Sequence, residues 1–154
     1  MKKKICIVVS AYNYKITKEL LSSAKKELKR SGVKKIDIIN VPGSFEIPVA
    51  ISRIINKYDG FIAIGCIIKG ETVNFDLICK AITDGIMHLS VTKKKPIGNS
   101  IITLFNRNQA SKRFIRGKEA AKAILDVLKI KWWTKITLIK TQGLLLFKNY
   151  MVIF

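Results

Sequence analysis

Residues 58–70 read YDGFIAIGCIIKG, an apolar run bracketed by glycines. It is too short to cross a membrane, and it lacks the polar alternation of a half-exposed strand. A stretch of this kind reads as a strand buried on both faces, and such strands belong to parallel sheets covered by helices on both sides.

Working outward from it, the same alternation recurs. KKICIVVS (3–10) reads as a first strand and KKIDIINV (34–41) as a second. Between them, ITKELLSSAKKELKRSG (16–32) places Ile16, Leu20, Leu21, Ala24 and Leu28 on one helical face and stops at Gly32. Pro42 and Gly43 break the second strand, and SFEIPVAISRIIN predicts a second helix starting near Phe45 with Glu46 in its first turn. NFDLICKAITDGIMHLSV predicts a third helix and PIGNSIITLF a fourth strand. NRNQASKRFIRGKEAAKAILDVLKI predicts a fourth helical region with a kink or break at Gly117. Four such units make a single α/β domain over residues 1–130: a three-layer, flavodoxin-like sandwich with a four-stranded parallel sheet flanked by helices. Ligands gather at the carboxyl ends of the strands in such sheets, so the loops at 10–15, 42–46, 67–74 and 104–113 are where a site is expected.

Residues 131–154, KWWTKITLIKTQGLLLFKNYMVIF, differ in kind, with no acidic residue and no helical period. This divergent C-terminal tail fits an added strand pair, an interface arm or read-through sequence equally well. The basic start, MKKKICIVVSAYN, has only a short apolar run and reads as a strand rather than a signal peptide.

The formal net charge of +19 by itself suggests a polyanionic partner. Its distribution argues otherwise: 24 lysines against 5 arginines, spread over the whole chain, beside 26 isoleucines. That pattern is a chain-wide compositional drift, without a zinc-finger, helix-turn-helix or RNA-recognition signature, and it predicts neither specific nucleic-acid binding nor a membrane partner. Cys6, Cys66 and Cys79 are odd in number and lack metal-ligand spacing, which predicts reduced thiols, no metal and a cytoplasmic protein.

On the loops selected above stand YN followed by IT and LL (12–21), VPGSFEIP (41–48), GCIIKGETVNFD (65–76), QASKR (109–113) and RGKEAA (116–121). In order and spacing these motifs resemble the lumazine synthase family over residues 4 to 130. The resemblance implies a cofactor-free condensation of 5-amino-6-(D-ribitylamino)uracil with 3,4-dihydroxy-2-butanone 4-phosphate, giving 6,7-dimethyl-8-ribityllumazine in riboflavin synthesis. It also implies a homo-oligomer, a pentamer or larger, with sites at subunit boundaries.

The resemblance carries roles to individual residues. Tyr12 matches the family's stacking aromatic for the pyrimidine ring. Ser44, Phe45 and Glu46 stand where the ribityl chain binds, with Glu46 accepting from its hydroxyls. Cys66, Ile67 and Ile68 stand where the pyrimidine meets backbone atoms. Glu71 and Thr72 precede the third helix, whose amino end favours the phosphate, and Arg113 matches the family's phosphate arginine, a guanidinium fork suited to that anion. Arg116 falls where the family usually has lysine, after a loop several residues shorter than usual.

Two site positions depart from the family pattern. Asn74 occupies the position of the proton-transfer histidine, and an amide cannot shuttle a proton near neutral pH. Asn99 occupies the position of an apolar side chain that a neighbouring subunit places against the ring. His88, the chain's one histidine, lies about four turns further along the third helix than Asn74 and cannot take its place. The expectation is therefore a lumazine synthase slowed by Asn74, working mostly by positioning. The alternative is an inactive assembly or ligand-binding protein on the same fold.

Overall fold

The computed structural model describes residues 3–130, together with the backbone of 140–141 and 144–145. Four strands, β1 (Lys4–Ser10), β2 (Lys35–Val41), β3 (Gly60–Ile68) and β4 (Ile97–Leu104), alternate with helices α1 (Tyr14–Arg30), α2 (Ile47–Ile54), α3 (Asn74–Thr92) and α4 (Ile115–Val127). All four strands run parallel in the order β2-β1-β3-β4. Their carboxyl ends, Ser10, Val41, Ile68 and Leu104, therefore lie on one edge, and the loops that follow them gather there.

The strand alternation sorts the core into two layers. Ile5, Ile7 and Val9 of β1, with Ile62, Ile64 and Cys66 of β3, pack against Leu20, Ala24 and Leu28 of α1 and Ala121 and Ile124 of α4. Cys6 and Val8, with Phe61 and Ala63, pack on the other face against Ile47 and Ile51 of α2 and Ile82 and Ile86 of α3. Both inner strands are buried on both faces, as the apolar run at 58–70 predicts. Each fully buried aliphatic or aromatic side chain contributes on the order of 2 kcal/mol. The edge strand β4 is buried on one face and partly covered on the other, where Ile97 and Ile101 pack against the second layer and Asn99 and Thr103 are exposed.

Three local expectations change. Glu46 is the residue before α2, with helical dihedrals, and Pro48 occupies the first turn instead; proline suits that position because its missing N–H has no helical partner there. The second helix ends at Ile54 and gives way to one 3-10 turn, Ile55–Lys57. The segment 106–130 is not one kinked helix. Two 3-10 turns, Arg107–Gln109 and Ser111–Arg113, precede α4, and Gly117 lies unbroken inside α4.

Gly117 is there for packing rather than for a bend. A Cβ at 117 would collide with the carbonyl oxygen of Leu20 and stand 3.0 Å from the Ala24 amide nitrogen. The two helices approach closely enough for the Lys118 N–H to donate to the Ser23 hydroxyl, 3.2 Å, which satisfies a first-turn donor of α4. Gly32, by contrast, does end α1 as expected, at φ +78, a left-handed conformation that favours glycine.

Of the tail, a short antiparallel pairing of Lys140–Thr141 with Leu144–Leu145 is described, in a sheet of its own. The rest of the expectation for 131–154 lies outside the described residues.

Candidate active site

The cavity at the carboxyl edge of the sheet has a volume of about 400 Å³ and is built by all four post-strand loops. A larger one, about 660 Å³, opens at the opposite edge between the ends of α1 and α4, and none of the expected site residues lines it. Chemistry favours the smaller cavity, because the carboxyl ends of parallel strands are where loops and helix amino ends converge.

The first loop is held from both sides. The Ala11 and Tyr12 amides donate to the Val41 and Pro42 carbonyls, 2.8 and 3.1 Å, extending the β1–β2 ladder past the strand ends. Asn13 then turns the chain into α1 with φ 58 and ψ 39, a left-handed conformation that asparagine tolerates better than most residues. Its side-chain amide donates to the Cys66 carbonyl, 3.0 Å away, pinning the loop to the end of β3. Tyr12 is thereby presented at the rim, 71% exposed and available to stack.

In the second loop Ser44 is buried, its hydroxyl set against Gly65 of β3 where any side chain would collide with it. Phe45 is exposed and lines the cavity beside it. Glu46 does not line that cavity. Its carboxylate folds back over Gly43, with Oε2 2.8 Å from where a Cβ would stand, and it borders an adjoining hollow shared with Phe45, Val49 and Ala81.

The end of β3 supplies Cys66, Ile67 and Ile68 to the lining, the third loop Gly70 and Thr72, and the first residue of α3 Asn74. No side chain caps α3 at Val73, so its first-turn N–H groups are left for an anion. Glu71 is exposed and lies outside the cavity lining. Burial pushes the Cys66 thiol up to about 11, against a small opposing effect of Arg107, so it stays protonated and is not a nucleophile. Cys6 is likewise pushed up to about 11 by burial, and Cys79 is raised for the same reason. All three thiols are free, and the described residues hold no cluster able to ligate a metal.

The fourth loop contributes Arg107, which sequence reasoning passed over. The Phe105 ring stacks on Phe75 with centroids 6.5 Å apart, and Lys69 lies over the Phe105 ring at 5.4 Å. Asn106 Oδ1 accepts from the Asn108 amide at 3.1 Å, and Gln109 Oε1 accepts from the Phe105 amide at 2.9 Å. These contacts fix the turn that carries Arg107.

Tyr12, Ser44, Phe45, Cys66, Ile67, Ile68, Thr72 and Asn74 are thus brought together within one chain. Arg113, exposed on the second 3-10 turn, and Asn99, exposed on the partly covered face of β4, are not. His88 is exposed on α3 and remote from the cavity, as expected. Asn13 and Arg107 are the residues missed. Asn13 stood within the quoted YN motif, whereas Arg107 carried no signal beyond lying in a selected loop.

The sequence profile of the 6,7-dimethyl-8-ribityllumazine synthase family matches residues 2–131. The 6,7-dimethyl-8-ribityllumazine synthase of Leuconostoc mesenteroides is 37% identical over 137 residues, covering 83% of this chain and 88% of its own. The enzyme of the same name from Buchnera aphidicola subsp. Baizongia pistaciae is 41% identical over 139 residues, 84% and 87% of the two chains. That from Limosilactobacillus reuteri is 38% identical over 112 residues, 71% and 74%. With the fold, the loops and these likenesses in agreement, the chain belongs to the 6,7-dimethyl-8-ribityllumazine synthase family.

Proposed function

We propose that this chain condenses 5-amino-6-(D-ribitylamino)uracil with 3,4-dihydroxy-2-butanone 4-phosphate to form 6,7-dimethyl-8-ribityllumazine, without cofactor or metal, in the cytoplasm. The observation that carries this reading is the convergence of Tyr12, Ser44, Cys66, Thr72 and Asn74, from three separate loops, on one cavity. Tyr12 stacks on the pyrimidine, the backbone at Cys66–Ile68 meets its polar edge, and Ser44 and Phe45 hold the ribityl chain within the cavity, with Glu46 reaching it from the adjoining hollow once its carboxylate turns away from Gly43. Glu71 contributes through its backbone, and Thr72 with the amino end of α3 receives the phosphate. The amine adds to the ketone and water leaves to give an imine. Phosphate then departs, and the ribitylamino nitrogen closes the ring with loss of a second water.

Asn74 lines the cavity where a proton shuttle would be useful. Its amide orients the reacting groups through hydrogen bonds, at a cost of roughly 10²- to 10⁴-fold in rate relative to a general acid-base group. What remains is proximity, which supplies roughly 7 kcal/mol or more when two reactants are held in line. Arg113 and Asn99 lie outside the chain's own cavity, on exposed surfaces, which supports a homo-oligomer, a pentamer or larger, in which a neighbouring subunit completes each site. The same amide at 74 favours the second reading, an assembly that binds these ligands without turning them over.

The test is to supply both substrates to the purified chain and to a variant ending after Ile130, following lumazine absorbance against an enzyme-free control. Turnover above the control that is lost in Arg113→Ala supports the enzyme. Binding of substrate analogues with no turnover supports the second reading.

A further inference from the structure

Among the residues that line the carboxyl-edge cavity, Arg107 carries the only charged side chain. It has no carboxylate partner among the described residues, whereas Arg30 and Arg116 are each paired within their own helices. Its positive charge opposes the upward push of burial on the thiol of Cys66, which lines the same cavity. The amino end of α3, which no side chain caps, and Thr72 line the same cavity and supply partial positive charge and a hydroxyl donor. An exposed guanidinium without a carboxylate partner and a helix amino end on one cavity suit a phosphate group, which has the charge and the oxygens to meet both; Asp76, the acid in the first turn of α3, is not among the residues lining that cavity.

We propose that Arg107 holds the phosphate of the acyclic substrate from within the same chain, so that the phosphate subsite exists in each subunit before any neighbour contributes Arg113. The turn that carries it is fixed by the Phe75–Phe105 stack and the Asn106 and Gln109 hydrogen bonds, so its side chain starts from an anchored base. The identity of the ligand rests on the proposed function; the match of charge does not.

The full chain would be studied as wild type, Arg107→Gln, Arg107→Lys and, as a control for losing one surface charge, Lys112→Gln. Inorganic phosphate is titrated by calorimetry, and KM is measured for each substrate. Arg107→Gln is expected to weaken phosphate binding and to raise KM for the butanone phosphate about ten- to hundredfold, the range for a charge-assisted hydrogen bond. KM for the ribitylaminouracil is expected to stay within about twofold, because that substrate carries no phosphate and an unaltered fold binds it as before. Arg107→Lys restores part of the loss through its charge, and Lys112→Gln changes nothing. Phosphate binding unaltered in Arg107→Gln, an equal effect of Lys112→Gln, or no phosphate binding to wild type overturns the inference, even if the enzyme turns over. Loss of phosphate binding in Arg107→Gln with no turnover by wild type upholds it while overturning the proposed reaction.

Discussion

Asn13 and Cys66 are joined by one hydrogen bond, side-chain amide to backbone carbonyl at 3.0 Å, and that bond ties the loop carrying Tyr12 to the end of the central strand. Asn13 also holds φ 58, so its side chain and its backbone conformation are separable. Asn13→Gly removes the bond but adopts the left-handed backbone freely, and is expected to cost about 1 kcal/mol. Asn13→Ala loses both and is expected to cost about 2 to 3 kcal/mol. Urea denaturation midpoints of the two variants would check the order, and an Ala variant as stable as the Gly variant would contradict it.

Gly117 and Leu20 give a prediction of opposite sign to helix propensity. In an exposed helix interior, Gly→Ala stabilises by about 1 kcal/mol. Here the new Cβ meets the Leu20 carbonyl, so Gly117→Ala is expected to destabilise by about 1 to 3 kcal/mol, the range for overpacking, as α4 is pushed off α1. A thermal midpoint that rises instead would show that the two helices separate at little cost.

Glu27 is buried on α1 at 4% side-chain exposure and accepts from Arg30 at 2.9 Å. The Arg30 hydrogen bond holds its carboxyl below the usual 4.5, with smaller help from the charges of Lys122 and Lys118. A folded pKa below the unfolded one stabilises the protein above the unfolded value and loses that contribution as pH falls through the folded value. Glu27→Gln is therefore expected to flatten the loss of thermal stability between neutral pH and the region below 4.5. Parallel melting curves against pH for wild type and variant would check this, and identical acid limbs would contradict it.

The fold was legible because its signal is local and repeated. Runs such as FIAIGCII read as doubly buried strands, and their alternation with amphipathic segments pointed to the parallel sheet that the structure has. Gly117 was misread because a glycine inside a helical pattern looks the same whether it bends the chain or admits a neighbouring helix; only the distance to Leu20 tells them apart. Apart from Asn13, the polar and aromatic cavity-lining residues on the first three loops were legible through motifs. Arg107 was not, because an isolated arginine gains meaning only from the residues that share its cavity, here Thr72 and the amino end of α3. Arg113 and Asn99 were singled out by position in the motif, and the single chain leaves them on exposed surfaces.

Under the proposed function the site works by holding its substrates together, with Asn74 in place of a proton shuttle. The most direct test is the rate of lumazine formation at saturating concentrations of both substrates, for wild type and Asn74→His, from pH 5 to 8. The wild-type rate is expected to exceed the enzyme-free control with no inflection of its own near pH 6.5, and the Asn74→His rate to be faster and to rise through about that pH as the imidazole loses its proton. Rates equal to the control for both folded proteins across that range would contradict it.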